Sequence, residues 1–311
     1  MSLSSQPQPR PLNIALVSDF FYPNLGGVEM HIYSLAYCLM ERGHKVIILT
    51  RAYENRQGIR YISNGIKCYY LPLSNWPIGT IIFPAVVLGV NYLLIRDIFF
   101  REKIDICHCH QSTSTLVIDI TNIAYNLGVR TVLTDHSTWN LHDFGYIDIS
   151  KLWKVCSMVC DHYIAVSHAV RENFVVRSNL DPVRTSTIPN AIDTSKFKPD
   201  PTKRNPLGTI NIVVMSRLEY KKGFDLLVEA IPAICKKYPN AYWIIGGDGS
   251  KMPVLKFLVK KCGLESQVEI LGMVPHHLVQ DVLNRGHIFI NTSIAEAFCI
   301  AVLEAVACGL K

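Results

Sequence analysis

The chain has 311 residues, 49% of them hydrophobic and 18% charged, with 31 basic against 25 acidic side chains. At roughly 150 residues per domain, this length suggests two domains, each able to bury a sizeable core, and it excludes global disorder, collagen-like repeats and a coiled coil. A net charge of +6 is too small to argue a nucleic-acid partner but suits an anionic ligand or lipid surface, and a mean hydropathy of +0.20 makes membrane contact worth testing.

Residues 1–12, rich in Ser, Gln and Pro, lack an apolar stretch and read as a disordered leader with no signal peptide. Asn13 to Ser18 is a short apolar strand ending in Asp19. The turn Tyr22-Pro23-Asn24-Leu25-Gly26-Gly27 leads into a helix from about Val28 to Glu41, Gly43 stops it, and Lys45 to Thr50 is the next strand. This is a βαβ unit. Gly26 and Gly27 let the backbone approach a ligand where the helix offers orphan N–H groups to a phosphate. The same pair also makes an ordinary turn. It does not match Gly-x-Gly-x-x-Gly, which disfavours a nicotinamide-dependent oxidoreductase.

Ile78 to Ile95 carries no charge over 18 residues, with Trp76 before it and Arg96, Arg101 and Lys103 after, so it qualifies as a spanning-helix candidate. Gly79, Pro84, Gly89 and Asn91 interrupt it. Apolar strands on both sides, Ile66 to Leu73 and Ile104 to Cys109, need a crossover helix between them. The segment therefore reads as a partly buried crossover helix, with a helix lying on a membrane surface as the intermediate case. Cys107-His108-Cys109-His110 resembles a metal site, yet on a strand the cysteines and histidines point apart, and no second ligand pair follows at zinc-like spacing. No metal is expected. Ten cysteines without a Cys-x-x-Cys pair indicate a reducing compartment and no disulfide framework.

Strand-like runs at Cys68 to Leu71, Arg130 to Thr134 and His162 to Val166 complete a doubly wound α/β domain over 13–188. His136, just past one of these strands, can donate to a sugar hydroxyl or phosphate oxygen, although a lone histidine is more often structural. Residues 189–208, with four prolines, mark a linker. The alternation restarts over 209–311: strand Thr209 to Met215, helix Gly223 to Lys237, strand Tyr242 to Ile245 before Gly246-Gly247-Asp248-Gly249, strand Val268 to Leu271, a short helix Pro275 to Arg285, strand His287 to Asn291 and a helix from about Ala297. Two Rossmann-like halves imply a cleft, with ligands outside the carboxyl ends of the strands.

Arg217 follows the first strand of the second half and Lys222 precedes Gly223, so a guanidinium fork and a mobile ammonium stand at a helix N-terminus, a good diphosphate clamp against the plainer reading of a solvated basic face. Glu296 and Glu304 would lie ~12 Å apart on a continuous helix, touching different parts of one ligand with two sugars; alone, they read as a capping and a surface glutamate. No Ser-His-Asp grouping, His-Glu-x-x-His or Asp-x-Asp is present. The charge of a diphosphate would fall to Arg217, Lys222 and backbone N–H groups.

Six stretches in order resemble the retaining glycosyltransferases of family 4, with their two-domain GT-B fold: Ser18 to Pro23 with Gly26 to Glu29, Thr134-Asp135-His136, Ile188 to Asp193, Ser216-Arg217-Leu218 with Lys221-Lys222-Gly223, Gly246 to Gly249, and Glu296-Ala297-Phe298 through Glu304-Ala305. Arg42 to Ile48, Gly58 to Tyr61 and Gly286 to Ser293 are similar to the branch that begins glycosylphosphatidylinositol anchor synthesis. The resemblance implies transfer of N-acetylglucosamine from its UDP donor to phosphatidylinositol, within a multi-subunit complex on the cytosolic face of the endoplasmic reticulum, without metal or other cofactor. Arg217 and Lys222 would hold the diphosphate, Glu304 the ribose, Glu296 the sugar hydroxyls and His136 the far edge of the sugar. Gly26 and Gly27 would approach the phosphates from the facing domain, and Asp19, Tyr22 and His110 lie on the acceptor side. Cys299 and Ala191 stand where the family has glycine. The family continues beyond Lys311, so the second domain is expected to be incomplete, and a shortened, non-catalytic binding or complex subunit is the alternative.

Overall fold

The computed structural model describes all residues except 1–9, 25, 54, 74, 79–80, 85–89, 139–149, 152, 155 and 205–207. Most of the expected leader therefore lies outside the described residues. The chain divides into two units, Met1–Asn190 and Ala191–Lys311.

Unit 1 is built on an eight-stranded sheet of β1 (Asn13–Val17), β2 (Lys45–Arg51), β3 (Gly58–Tyr61), β4 (Lys67–Leu71), β7 (Ile106–His110), β8 (Arg130–Asp135), β9 (His162–Ala165) and β10 (Thr185–Thr187), in the order β10-β9-β8-β7-β1-β2-β4-β3. Only edge strand β3 runs antiparallel, on β4. Ala15, Val17, Ile47, Leu49, Cys107 and Cys109 pack on one face against helices Val90–Glu102 and Thr115–Asn126, while Ile14, Leu16, Val46 and Ile48 pack on the other against Ile32 and Ala36 of helix Gly27–Glu41. A strand buried on both faces has no polar side to show, which is why these segments read as continuous apolar runs. The chain passes from β1 to β2 and β4 on one side, and from β7 to β8, β9 and β10 on the other. The strand order thus reverses between β1 and β7, where the carboxyl ends leave a crevice.

The stretch 78–95 differs from the expected crossover helix. β5 (Asn75–Ile78) and β6 (Ile81–Pro84) pair antiparallel as a separate ribbon, with Ile78 opposite Ile81; a helix covers Val90–Glu102, and 79–80 and 85–89 lie outside the described residues. Pro84 opposes helix, and the β-branched Ile81 and Ile82 suit a strand. Among the described residues no helix is long and apolar enough to cross a membrane.

Unit 2 carries a parallel sheet in the order β13-β12-β11-β14, formed by β11 (Ile210–Met215), β12 (Ala241–Gly246), β13 (Val268–Gly272) and β14 (Ile288–Phe289). Ile212, Val214, Trp243 and Ile245 meet helices Phe224–Lys237 and Met252–Lys261 on one face. Val213 and Ile244 meet helices His276–Asn284 and Ile300–Ala307 on the other. Residues 197–204, inside the Pro-rich stretch, dock on this unit: Phe197 joins its core, the Asp200 backbone N–H donates to Asn284 Oδ1 at 2.9 Å, and Arg204 donates to the carbonyl of Cys308. The helix expected from Ala297 starts three residues later, at Ile300.

Candidate functional site

In unit 2 three loops meet past the carboxyl ends of the strands. The loops after β11 and β12 are stitched by Ser216 N–H to the carbonyl of Gly246 at 3.1 Å and Leu218 N–H to that of Asp248 at 2.9 Å. A Cβ on Gly247, whose φ is +134°, would stand 1.8 Å from the Ser216 carbonyl oxygen, so only glycine allows this approach. The Glu219 carboxylate accepts from the Ser250 backbone N–H and hydroxyl at 2.8 and 2.7 Å, fixing the turn that follows Arg217. Gly223, at φ +66°, opens helix Phe224–Lys237, and a Cβ there would fall 1.7 Å from the Thr292 carbonyl oxygen. That contact clamps the third loop, after β14, beside Lys222. Thr292 Oγ1 donates to the Lys222 carbonyl at 2.9 Å, and the Ile294 N–H to that of Lys221 at 3.2 Å.

The result is an ion pair of Lys222 Nζ with Glu296 Oε1 at 2.5 Å, in which Glu296 also accepts from Ser293 Oγ at 2.9 Å. Both side chains are about one quarter exposed. Arg217 is exposed on the same loop, so two cations and the positive end of a helix share one strand edge, an arrangement suited to an anionic, phosphate-bearing ligand. Glu304 is buried in helix Ile300–Ala307, and burial pushes its carboxyl up to about 7. Residues 296–299 are not helical, so the ~12 Å separation that a continuous helix would give Glu296 and Glu304 does not apply. Cys299 stands at the helix start in an extended conformation, which rules out helix across the interval.

In unit 1, helix Gly27–Glu41 starts at Gly26, whose φ of −160° is ordinary extended backbone. A Cβ there would meet only the mobile carboxylate of Glu29, so any need for glycine comes from the approach of a ligand and not from strain. Gly27 is the first helical residue. Asp19, at the end of β1, is buried; burial raises its carboxyl to about 6 even though Ser114 bonds to it and Arg51 lies near. Tyr22 is largely exposed, with the Arg56 guanidinium 4.5 Å from its ring centroid, and lines a cavity of about 340 Å³ together with Phe21, Asn24, Glu29 and Tyr61.

The histidines converge at the reversal point of the sheet. His108 and His110 face away from Cys107 and Cys109, whose sulfurs lie 3.7 Å apart on the opposite face. The two imidazoles stack at 4.4 Å, His108 Nε2 is bonded to Thr134 Oγ1 at 2.7 Å, and His110 Nδ1 lies 3.2 Å from His136 Nε2. His31, one turn into helix Gly27–Glu41, completes the group with ring centroids 4.8 Å from His136 and 5.5 Å from His110. Burial, which disfavours the charged form, holds all four rings below the ordinary histidine range, His31 at about 4 and His108 at about 3, with His110 and His136 shifted the same way. Asp135 does not bond these rings; it accepts from Ser112 Oγ at 2.7 Å, and burial lifts it to about 6. Sequence reasoning named His110 and His136 but missed His31, although its position four residues after Gly27 places it one turn beyond the loop. One ring nitrogen from each of His31, His110 and His136 lies within 4.8 Å of the others, so these residues have the donors to hold a metal ion.

Comparison with known proteins gives a consistent picture. The model of the family described as Glycosyltransferase Family 4 matches residues 25–196, and that described as Glycosyl transferases group 1 matches 197–311. The chain is 47% identical over 305 residues to a subunit of phosphatidylinositol N-acetylglucosaminyltransferase from Homo sapiens, covering 97% of this chain and 61% of that protein. It is 47% identical over 303 residues to the same-named protein of Arabidopsis thaliana, covering 97% and 67%. With the gpi3 subunit of the transferase from Schizosaccharomyces pombe the figures are 44% over 295 residues, 95% and 64%. The chain therefore spans roughly two thirds of the length of these relatives. Among solved structures, sucrose-phosphate synthase from Thermosynechococcus elongatus matches with a TM-score of 0.76 at 18% identity, covering 96% of this chain and 80% of that one. Anabaena HepE in complex with UDP-glucose matches at 0.72 and 18%, covering 96% and 79%. These two likenesses show a shared fold.

Proposed function

Since the chain belongs to glycosyltransferase family 4, we propose that it transfers N-acetylglucosamine from UDP-N-acetylglucosamine to phosphatidylinositol, with retention at the anomeric carbon, as part of a membrane-bound complex at the endoplasmic reticulum. The observation that supports this most is the Lys222–Glu296 pair at the start of helix Phe224–Lys237. It joins an ammonium suited to a diphosphate with a carboxylate suited to sugar hydroxyls. The names of the relatives, at 40–47% identity, support the choice of sugar and lipid.

In this proposal Arg217, Lys222 and the helix N–H groups take the charge of the departing UDP, and no metal is assigned to the reaction. Glu296 accepts from donor-sugar hydroxyls, Glu304 from the ribose, and His136 serves the far edge of the sugar. Gly26 and Gly27 give the phosphates room, and Asp19, Tyr22 and His110 belong to the acceptor side. The bond from the anomeric carbon to the phosphate oxygen breaks as the bond to an inositol oxygen forms on the same face. The inositol hydroxyl proton passes to the leaving phosphate oxygen. Fixed donors aimed at that oxygen supply most of the stabilisation.

Isothermal titration of the 311-residue chain with UDP tests the donor assignment. Measurable affinity, weakened by Arg217→Ala and by Lys222→Ala, is expected; its absence refutes the assignment. Incubation with labelled UDP-N-acetylglucosamine, phosphatidylinositol vesicles and the partner subunits tests the transfer itself, with a labelled lipid as the expected product.

A further inference from the structure

We propose that His31, His110 and His136 form a binding site for a divalent transition-metal ion of the zinc class in unit 1. Their nitrogens lie within 4.8 Å of one another, and the His110–His136 edge, at 3.2 Å, already matches the spacing of about 3.3 Å between neighbouring ligands in a tetrahedron with zinc–nitrogen bonds of about 2.0 to 2.1 Å. The remaining nitrogen, on His31, belongs to a side chain only half buried on the first turns of its helix, so side-chain rotation can close the triangle. His110 is fully buried and would ligate through Nδ1, the nitrogen on the edge with His136.

The surroundings determine which ion fits. Asp135 is committed to Ser112 and Asp19 to Ser114, and the thiols of Cys107 and Cys109 lie on the opposite face of the sheet. The donor set is therefore three imidazoles, which favours zinc, copper or nickel and disfavours magnesium or calcium. His108, held by Thr134 and stacked on His110, fixes the orientation of one ligand from behind. Three protein ligands leave a fourth position open for water or a hydroxyl. An ion on His136 would occupy the ring assigned above to the far edge of the sugar, so ion and donor sugar compete; that consequence alone rests on the proposed function.

The test uses the full chain, stripped with a chelator and free of nucleotide, in equilibrium dialysis against zinc alone and against cobalt alone. One ion per chain is expected, undisturbed by excess magnesium, with the visible bands of tetrahedral cobalt bound to nitrogen. His31→Gln and His136→Ala should each weaken zinc binding by at least about tenfold. Zinc should raise the unfolding temperature of the wild type by more than that of either variant. Affinity unaltered in both variants, thiolate-to-cobalt charge-transfer bands, or no saturable binding overturns the site. The solvent-side position of His31 makes His31→Gln decisive should His136→Ala fail to fold.

Discussion

Lys222 and Glu296 neutralise each other while no donor is bound, so a diphosphate must replace one partner of a half-buried pair. Two opposite effects follow. Lys222→Ala should lower the affinity for UDP by roughly ten- to hundredfold, the worth of a hydrogen bond to a charged group. Glu296→Gln should raise affinity for UDP itself, because it frees the ammonium, while the rate of sugar transfer falls. Calorimetry and a transfer assay on the two variants separate these roles. Glu304 adds a pH dependence. Burial raises its carboxyl to about 7, and ribose hydroxyls favour the charged form, so UDP binding releases a proton. Affinity should therefore decline as the pH falls through about 7, and Glu304→Gln should flatten the profile. None of these couplings is visible in the sequence, which shows two glutamates and a lysine but not which of them touch.

At the scale of the elements, the glycines that bring the loops of unit 2 together matter most. Gly223→Ala places a Cβ on the Thr292 carbonyl and forces a left-handed backbone on alanine. A loss of at least about 2 kcal/mol is expected, read as a fall of roughly 4 to 8 °C in the melting temperature. Elements were legible in the sequence where burial gives a pattern. β1, β2 and β12 read as apolar runs because both of their faces are covered. The ribbon of β5 and β6 was misread, since a short apolar run suits either strand or helix. β3 was missed because all four of its residues are exposed and show no alternation. Arg217 and Lys222 were legible because the end of a strand fixes where a following loop stands. His31 was not, because its contact depends on which face of helix Gly27–Glu41 meets the sheet.

At the scale of the whole molecule, Glu102 shows how unit 1 is tied together away from its carboxyl-end crevice. At the end of helix Val90–Glu102 it is almost wholly buried, paired with Lys45 at 2.7 Å and Lys67 at 2.5 Å and bonded by the Tyr69 hydroxyl. Burial alone would raise its carboxyl, but the bonds from Lys45, Lys67 and Tyr69 outweigh it and bring it to about 2. A carboxyl lowered from its unfolded value stabilises the fold above about pH 4.5, and that contribution is lost as the pH falls toward 2. Glu102→Gln should therefore melt below wild type at neutral pH, with the gap closing on acidification.

The distribution of thiols turns the chain into its own unfolding gauge. Cys68, Cys107, Cys109, Cys156 and Cys160 are buried in unit 1 and Cys235 and Cys308 in unit 2, whereas Cys38 and Cys262 are exposed. An alkylating reagent should modify the exposed pair at once and reach the others only when their own unit opens, because a buried, protonated sulfur is a poor nucleophile. Mass spectrometry of timed samples would then report two opening rates from one tube, with no label introduced. Gly223→Ala, a change inside unit 2, should hasten modification of Cys235 more than that of Cys107.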